Sequence, residues 1–471
     1  MWGGSLSPAA KGRGMAVGGA VRSVAVVGAG AAGLASVRAL RREGLAVTAF
    51  EARAGVGGTW VLEPGAPGAQ SSLYESLRTN LPRELMGFQE LPFTGPPGTS
   101  TYCGHREVRQ YLEAYAQSFD LTKDIRFNSR VVSARPVSME GGRGRGWRVE
   151  VEEGPVSGSA DVSTDVVCRY HMDYDALCVC NGHYTEARFP AEAEACKPFA
   201  DRKGCWQMHS HEYREPGRFR DKRVVLVGGG PSAMDLSVEI ASVAEKVFIS
   251  SRDTDPSLLA KINAECSVSI EARPWINTAK PGVAHFEDGS TSEADIIVWC
   301  TGYSYSFPWL EMEASKEGGS LGGDSIPELY RHVFLPEHAP DLSFVGIPFK
   351  VAPFPQFELQ AAWVARCLSG RAALPSEAEM QRRASEELEL QRERFALPRH
   401  THQLGGLQWD YNDALAAESG FSPLAGWRRR MYDASKDNRA RNPGVYRNRL
   451  PGDLESSLSE AYKYFKSNLL M

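Results

Sequence analysis

A chain of 471 residues with 42% hydrophobic and 24% charged side chains is long enough for two or three cores and too apolar for a disordered polymer. A net charge of -5 and a pI near 6.1, without an Arg/Lys stripe, exclude the electrostatic footprint of a nucleic-acid binder. No apolar run reaches the roughly eighteen residues of a membrane span, and the ending "YKYFKSNLLM" is short and charged, so no membrane anchor is expected.

Residues 1–21 read as a flexible N-terminus. They are Gly/Ala/Ser-rich with Lys11 and Arg13, lack the apolar run of a secretory signal, and contain Met15 as an alternative start. Nine cysteines, none in a CxxC pair, point to a reducing, cytoplasmic setting.

Residues 22–51 predict a βαβ unit: a strand over Val24–Val27, a glycine turn, a helix over Leu34–Arg42, and a second strand over Val47–Phe50 that ends at Glu51. Pro/Gly-rich loops are expected at 61–70 and 92–100, then a helix over Glu107–Phe119. Val131–Ala134 and Trp147–Val151 flank "EGGRGRG" and predict an antiparallel ribbon, and Ala176–Cys180 a buried strand with Cys178 and Cys180 on one face. Residues 190–222 show charge and aromatics without a period and read as a domain junction. A second βαβ unit runs from Arg223 to Arg252. "DIIVWC" (Asp295–Cys300) predicts another buried strand, ending in Thr301, Gly302 and Tyr303. Helices are predicted over Gln356–Leu368 and Ser376–Arg394, with Ser376 as N-cap.

The chemistry lies in the two glycine turns. Gly28, Gly30 and Gly33 form GxGxxG between strand and helix, which gives a tight turn, a close backbone approach to pyrophosphate and close helix packing. The helix N-terminus supplies free N–H groups for phosphate. Glu51 ends the second strand, where a carboxylate accepts hydrogen bonds from ribose hydroxyls. The second turn is Gly228, Gly230 and Ala233, with Ser232 beside it, and its second strand ends in Ser251 and Arg252 instead of an acid. Arg252 can pair with a 2′-phosphate that a carboxylate would repel. One ribose-binding and one 2′-phosphate-binding site imply a flavin and NADPH in one oxidoreductase.

Several segments resemble the class B flavin-dependent monooxygenases, and within them the plant flavin-containing monooxygenases of the glucosinolate S-oxygenase type. These are "VGAGAAGLASVRALRREG", "FEARAGVGGTW", "YESLRTNLPRELMGFQELPF", "MHSHEYREPGRF", "CTGYSYSFPWL" and "FPQFELQAAWVARCLSG". The resemblance implies FAD near Gly57, Gly58 and Trp60, and places Asn80 beside the flavin ring as the catalytic hydrogen-bond donor. It sets Thr301 and Gly302 in the linker between cofactors and Gln360 near the flavin pyrimidine. In the motif between the nucleotide units, His209 and Tyr213 fit. Gly204, however, stands one residue further from His209 than the family's glycine, Lys203 takes the place of a Phe, and Pro231 follows the second turn where relatives carry Asn. His209 reads as a loop-orienting residue, Tyr303 and Trp363 as packing residues or, as often, cofactor contacts, and Asp235 and Glu239 as an exposed helix face.

The fold so implied is α/β, with two Rossmann-like domains: an NADP-binding domain at 203–304 inserted into an FAD-binding domain made of 22–202 and 305–471. The activity implied is NADPH- and O2-dependent S-oxygenation of a thioether, of the methylthioalkyl glucosinolate kind, through a C4a-hydroperoxyflavin. The sulfur attacks the distal peroxide oxygen, so no acid/base dyad is needed. N-oxygenation, oxidative decarboxylation and a silent NADP/FAD-binding sensor stay open, as does the oligomeric state. A disulfide reductase would need a CxxC or CxxxxC pair, which is absent, and none of the ten histidines sits in HExxH or a zinc spacing.

Overall fold

Val24, Ala25 and Val26 are wholly buried, as a strand covered on both faces requires, and the strand Ser23–Val27 is the centre of a five-stranded sheet. In this computed structural model the described residues are 22–63, 70–96, 98–139, 145–154, 168–312, 321–326, 329–395 and 397–468. The expected N-terminal segment with Met15, and most of the "EGGRGRG" tip, lie outside them.

Across the first sheet the order is Leu342–Phe344, Ala176–Val179, Ser23–Val27, Ala46–Phe50 and Ile125–Arg126, all parallel. Helices Ala31–Arg42 and Pro353–Leu368 cover one face through Leu34, Val37, Leu359 and Trp363. The other face packs on an antiparallel sheet of Ser129–Ser138, Arg145–Glu153 and Cys168–Tyr174, through Phe50, Val149 and Leu177. The ribbon expected at 131–151 is thus longer than predicted, because its arms continue in alternating residues that the sequence alone did not separate from the tip.

The second sheet repeats the design with the order Ile270–Arg273, Lys246–Ser250, Arg223–Val227, Ile296–Trp299 and Trp206–His209, again parallel. Helices Pro231–Ala241 and Pro256–Cys266 lie on one face, and the antiparallel strands Ile276–Lys280, Val283–Phe286 and Thr291–Glu293 on the other. Trp206–His209 is an edge strand within the stretch that showed no period. Four residues are too few to display one.

The chain passes between the two sheets twice, and the passages are paired. Tyr303 lies opposite Ala187 and Ser304 opposite Glu186 in a short antiparallel ladder. After helix Glu377–Phe395, whose first turn is capped by Ser376 (Oγ accepts the Glu379 N–H, 3.3 Å), three further helices close the molecule. Of these, Trp427–Arg441 and Gly452–Asn468 bury Trp427, Met431 and Phe465 against Leu85 and Tyr102 of the first half. No helix among the described residues is long and apolar enough to cross a membrane.

Candidate active site at two glycine turns

Both turns sit at the C-terminal edge of the central strand of a parallel sheet, the place where open α/β sheets bind ligands. At the first, Gly28 has φ +104°, and a Cβ there would lie 2.6 Å from the Cys180 carbonyl oxygen. A Cβ on Gly33 would lie 1.9 Å from the Gly28 oxygen, so only glycine lets the helix start this close to the strand. Gly30, the N-cap, gives the helix no side-chain cap, which leaves its N-terminus to a ligand. The Glu51 carboxylate is buried and accepts the Ala29 N–H (2.8 Å) and the Arg53 N–H (2.9 Å), one on each oxygen. These two bonds aim it along the turn and leave lone pairs for ribose. Gly58 packs on Gly30 backbone to backbone, and Trp60 turns its ring edge-on to Phe354. Arg53, not singled out in the sequence, ties the pieces: it donates to Glu63 (2.6 Å) and to the Gly58 carbonyl (2.5 Å).

At the second turn Gly228 has φ +127° and a Cβ there would meet the Cys300 carbonyl oxygen at 2.4 Å. Gly230 has nothing within 4 Å of a Cβ, so its side of the turn is open. Pro231 takes the first helical position, where a missing N–H costs nothing. Ser232 is exposed, whereas Ala233 is fully buried and serves close packing rather than contact. Ser251 receives the Asp253 N–H on Oγ (3.2 Å), and its N–H donates to the Arg273 carbonyl (3.2 Å). The Arg252 guanidinium stacks 4.5 Å from Trp275 and pairs with Glu287 (3.1 Å) and Glu192 (3.4 Å).

The cofactors fit these two cradles. Each turn has an uncapped helix N-terminus and positions that admit no Cβ or face open space; the first ends in a carboxylate and the second in a guanidinium.

Between the turns lies the segment with the altered motif. The extra residue is absorbed in an exposed turn: Gly204 has φ +91° with nothing near it, and the Cys205 N–H closes the turn on the Arg202 carbonyl (3.0 Å). His209 Nδ1 accepts the His211 N–H (3.1 Å), which fixes its proton on Nε2, and its ring meets Tyr303 edge-on. Burial, then the neighbouring His211, pull the His209 imidazole down to about 4. Arg214 was not foreseen. Its guanidinium donates to the carbonyls of Glu63 (2.6 Å), Ser71 (2.9 Å), His211 (2.7 Å) and Tyr213 (2.8 Å), stitching the two halves together.

One expectation is corrected. Asp235 and Glu239 do not form an exposed face. Asp235 pairs with Arg447 (2.7 Å), and burial raises the Glu239 carboxyl beside Tyr213, because their helix packs against residues 74–79 and the C-terminal segment. Asn80 is exposed, next to the buried Thr79. Thr301 donates through Oγ1 to the Arg188 carbonyl (2.5 Å), and the Arg188 N–H donates to the Gly302 carbonyl (3.0 Å). Gln360 is fully buried: it accepts the Gly346 N–H (3.0 Å) and donates to the Tyr411 hydroxyl (2.7 Å). Trp363 packs on Tyr330 and Phe334.

Comparison with known proteins gives the family and the fold. The family model "Flavin-binding monooxygenase-like" matches residues 21–266 and 263–424. The chain is 39% identical to flavin-containing monooxygenase FMO GS-OX-like 2 of Arabidopsis thaliana, over 87% of this chain and 88% of that one. It is also 39% identical to FMO GS-OX-like 4 of the same plant, over 94% and 96%. Among solved structures, S-allyl-L-cysteine S-oxygenase from Allium sativum superposes with a TM-score of 0.80 at 35% identity, covering 95% of this chain and 99% of that one.

Proposed function

We propose, for a chain that belongs to the flavin-binding monooxygenase-like family and is therefore an oxidoreductase, that it uses NADPH and O2 to oxygenate the sulfur of a small thioether. The observation that carries this reading is the pairing of two glycine turns in one chain, one ending in Glu51 and the other in Ser251 and Arg252. Gly28, Gly30 and the helix N-terminus at Ala31 hold the FAD pyrophosphate, and Glu51 the ribose. Gly58 and Trp60 would line the flavin. Gly228, Gly230 and Ser232 hold the NADPH pyrophosphate, and Ser251 and Arg252 take the 2′-phosphate. The nucleotide unit is residues 203–304, inserted into a flavin unit of 22–202 and 305–471.

Bound FAD supplies the relay of two electrons from NADPH to O2 and the transfer of one oxygen atom. The chain's own tasks are to bind, to orient and to keep water out. Asn80 would donate a hydrogen bond to the bound cofactors. Thioether sulfur is its own nucleophile, so no general base is required. The garlic structural neighbour is an S-allyl-L-cysteine S-oxygenase, which supports sulfur over nitrogen as the atom oxidised. A methylthioalkyl side chain, as on glucosinolates, is the candidate substrate. Nine free cysteines, among them Cys178 and Cys180 with Sγ atoms 3.7 Å apart, suit a reducing cytoplasm.

The test is a coupled balance on the purified yellow protein. NADPH, O2 and a methylthioalkyl substrate should disappear in equal amounts as sulfoxide and NADP+ form. Turnover of tertiary amines without any sulfoxide would replace S- by N-oxygenation, and hydrogen peroxide alone with every substrate would refute the monooxygenase.

A further inference from the structure

The C-terminal turn Tyr446–Asn448 carries an arginine that reaches both halves of the site. The turn itself is tied to its neighbours. Asn438 Nδ2, from helix Trp427–Arg441, donates to the Tyr446 carbonyl (3.0 Å) and the Arg449 carbonyl (2.8 Å), and the Tyr446 ring is buried edge-on to Tyr102.

From this support the Arg447 guanidinium makes three bonds. Nη1 and Nη2 hold both oxygens of Asp235 (3.1 and 2.7 Å), and Nε donates to the Thr79 carbonyl (2.9 Å). Arg78 answers from the other side: it donates to Asn448 Oδ1 (2.7 Å), the Arg447 carbonyl (3.0 Å) and the Tyr102 carbonyl (3.1 Å).

The two targets of Arg447 are the ones that matter. Asp235 lies in the helix that begins at the Gly228–Gly230 turn, so it moves with the NADPH cradle. The Thr79 carbonyl belongs to the peptide plane that leads into Asn80. The Thr79 N–H is also held, by the Cys103 carbonyl at 2.9 Å. With both ends of Thr79 held, the backbone N and Cα of Asn80 are held in place too. Side-chain exposures of 18% for Arg447 and 29% for Asp235 place the pair largely out of water, where a bidentate fork is stronger and better defined than a surface ion pair. Lysine has no planar fork to satisfy both partners at once.

We propose that Arg447 is a positioning residue that locks the Asn80 peptide to the nucleotide helix, so that NADP stays docked in register with Asn80 while oxygen is transferred. The proposal rests on the reading of Asn80 as a hydrogen-bond donor at the flavin. In coupled turnover the thioether, O2, NADPH and a proton give sulfoxide, NADP+ and water. Without the lock the same NADPH, O2 and proton give hydrogen peroxide and NADP+.

The experiment measures hydrogen peroxide per NADPH, with a thioether present, in the FAD-loaded full-length wild type, Asn80→Ala, Arg447→Ala, Arg447→Lys and the double variant. Each single alanine variant should raise the peroxide fraction several-fold, the double variant should be no worse than Asn80→Ala alone, and lysine should not restore coupling. FAD content and melting temperature are read alongside; a merely structural role moves these and leaves the peroxide fraction of the flavin-loaded protein where it was. Wild-type coupling in Arg447→Ala, or additive effects in the double variant, overturns the proposal while leaving Asn80 in place. Wild-type coupling in Asn80→Ala removes Asn80 from the mechanism, and the proposal falls with that reading. If Arg447→Ala yields no folded protein, Arg447→Gln decides by the same ratio.

Discussion

Gly58 and Gly30 touch through their backbones: a Cβ on Gly58 would lie 2.8 Å from the Gly30 Cα, and one on Gly30 3.3 Å from the Gly58 Cα. Gly58 also holds φ +54°. Two loops, the phosphate turn and the turn carrying Trp60, are thus packed so closely that Gly58 has no room for a side chain and Gly30 admits one only if its neighbour gives way.

This contact sorts the glycine variants. Gly30→Ala should give folded protein that retains less than about a tenth of its yellow colour, because one methyl both crowds Gly58 and fills the pyrophosphate position. Gly230→Ala meets nothing in the protein, so its melting temperature and flavin content should equal the wild type while the KM for NADPH rises about ten-fold. Gly33→Ala forces a Cβ onto the Gly28 oxygen and should destabilise the fold by about 3 kcal/mol or more in denaturant titration.

Arg252 is shared between two carboxylates and the Trp275 ring, so an incoming 2′-phosphate must compete with Glu287 and Glu192. Arg252→Ala is expected to raise the KM for NADPH at least ten-fold and leave that for NADH within about two-fold. Glu287→Gln removes one competitor and should lower the KM for NADPH. Equal effects on both coenzymes would exclude the 2′-phosphate assignment.

Arg214 is the seam between the halves. Its removal strips a donor from four carbonyls in one step, and losing even two such bonds in a part-buried place costs about 2 to 4 kcal/mol. Arg214→Ala should therefore unfold at clearly lower denaturant and release FAD on gel filtration. Arg214→Lys should recover little, since one ammonium cannot span the same acceptors.

Acid sensitivity follows from His209. Its folded value near 4 lies below the ordinary 6.5, so the unfolded chain takes up the extra proton between these values. The stability it contributes is complete above about 6.5 and is lost as pH falls towards 4, at a slope of up to about 1.4 kcal/mol per pH unit. Asparagine can keep an acceptor for the His211 N–H but does not titrate. His209→Asn should flatten the stability profile between pH 4.5 and 6 by about that slope, as read from denaturant midpoints. His332, also pulled to about 4 by burial, should keep the variant's residual slope in the same direction.

What the sequence determined is what is local in the chain. Strand, GxGxxG turn, helix and Glu51 fall within one βαβ unit, and each residue type there answers to a turn conformation or a phosphate within a few positions. The same holds for Gly228 through Arg252, so the two glycine turns, their order and the different residues that end their second strands were legible. Tertiary structure alone decided which distant residues tie the two units together. Asp235 and Arg447 stand 212 positions apart, and Arg78 and Asn448 stand 370 apart. Nothing in the spacing of an acid on a helix tells an exposed face from one that meets a distant arginine. The Arg214 seam and the Arg252–Glu287 pair were hidden for the same reason: their partners come from other elements, and the side chains concerned are polar and follow no hydrophobic period; the edge strand Trp206–His209 was hidden because four residues are too few to show one. Local chemistry fixed the two cradles; long-range packing fixed the register between them.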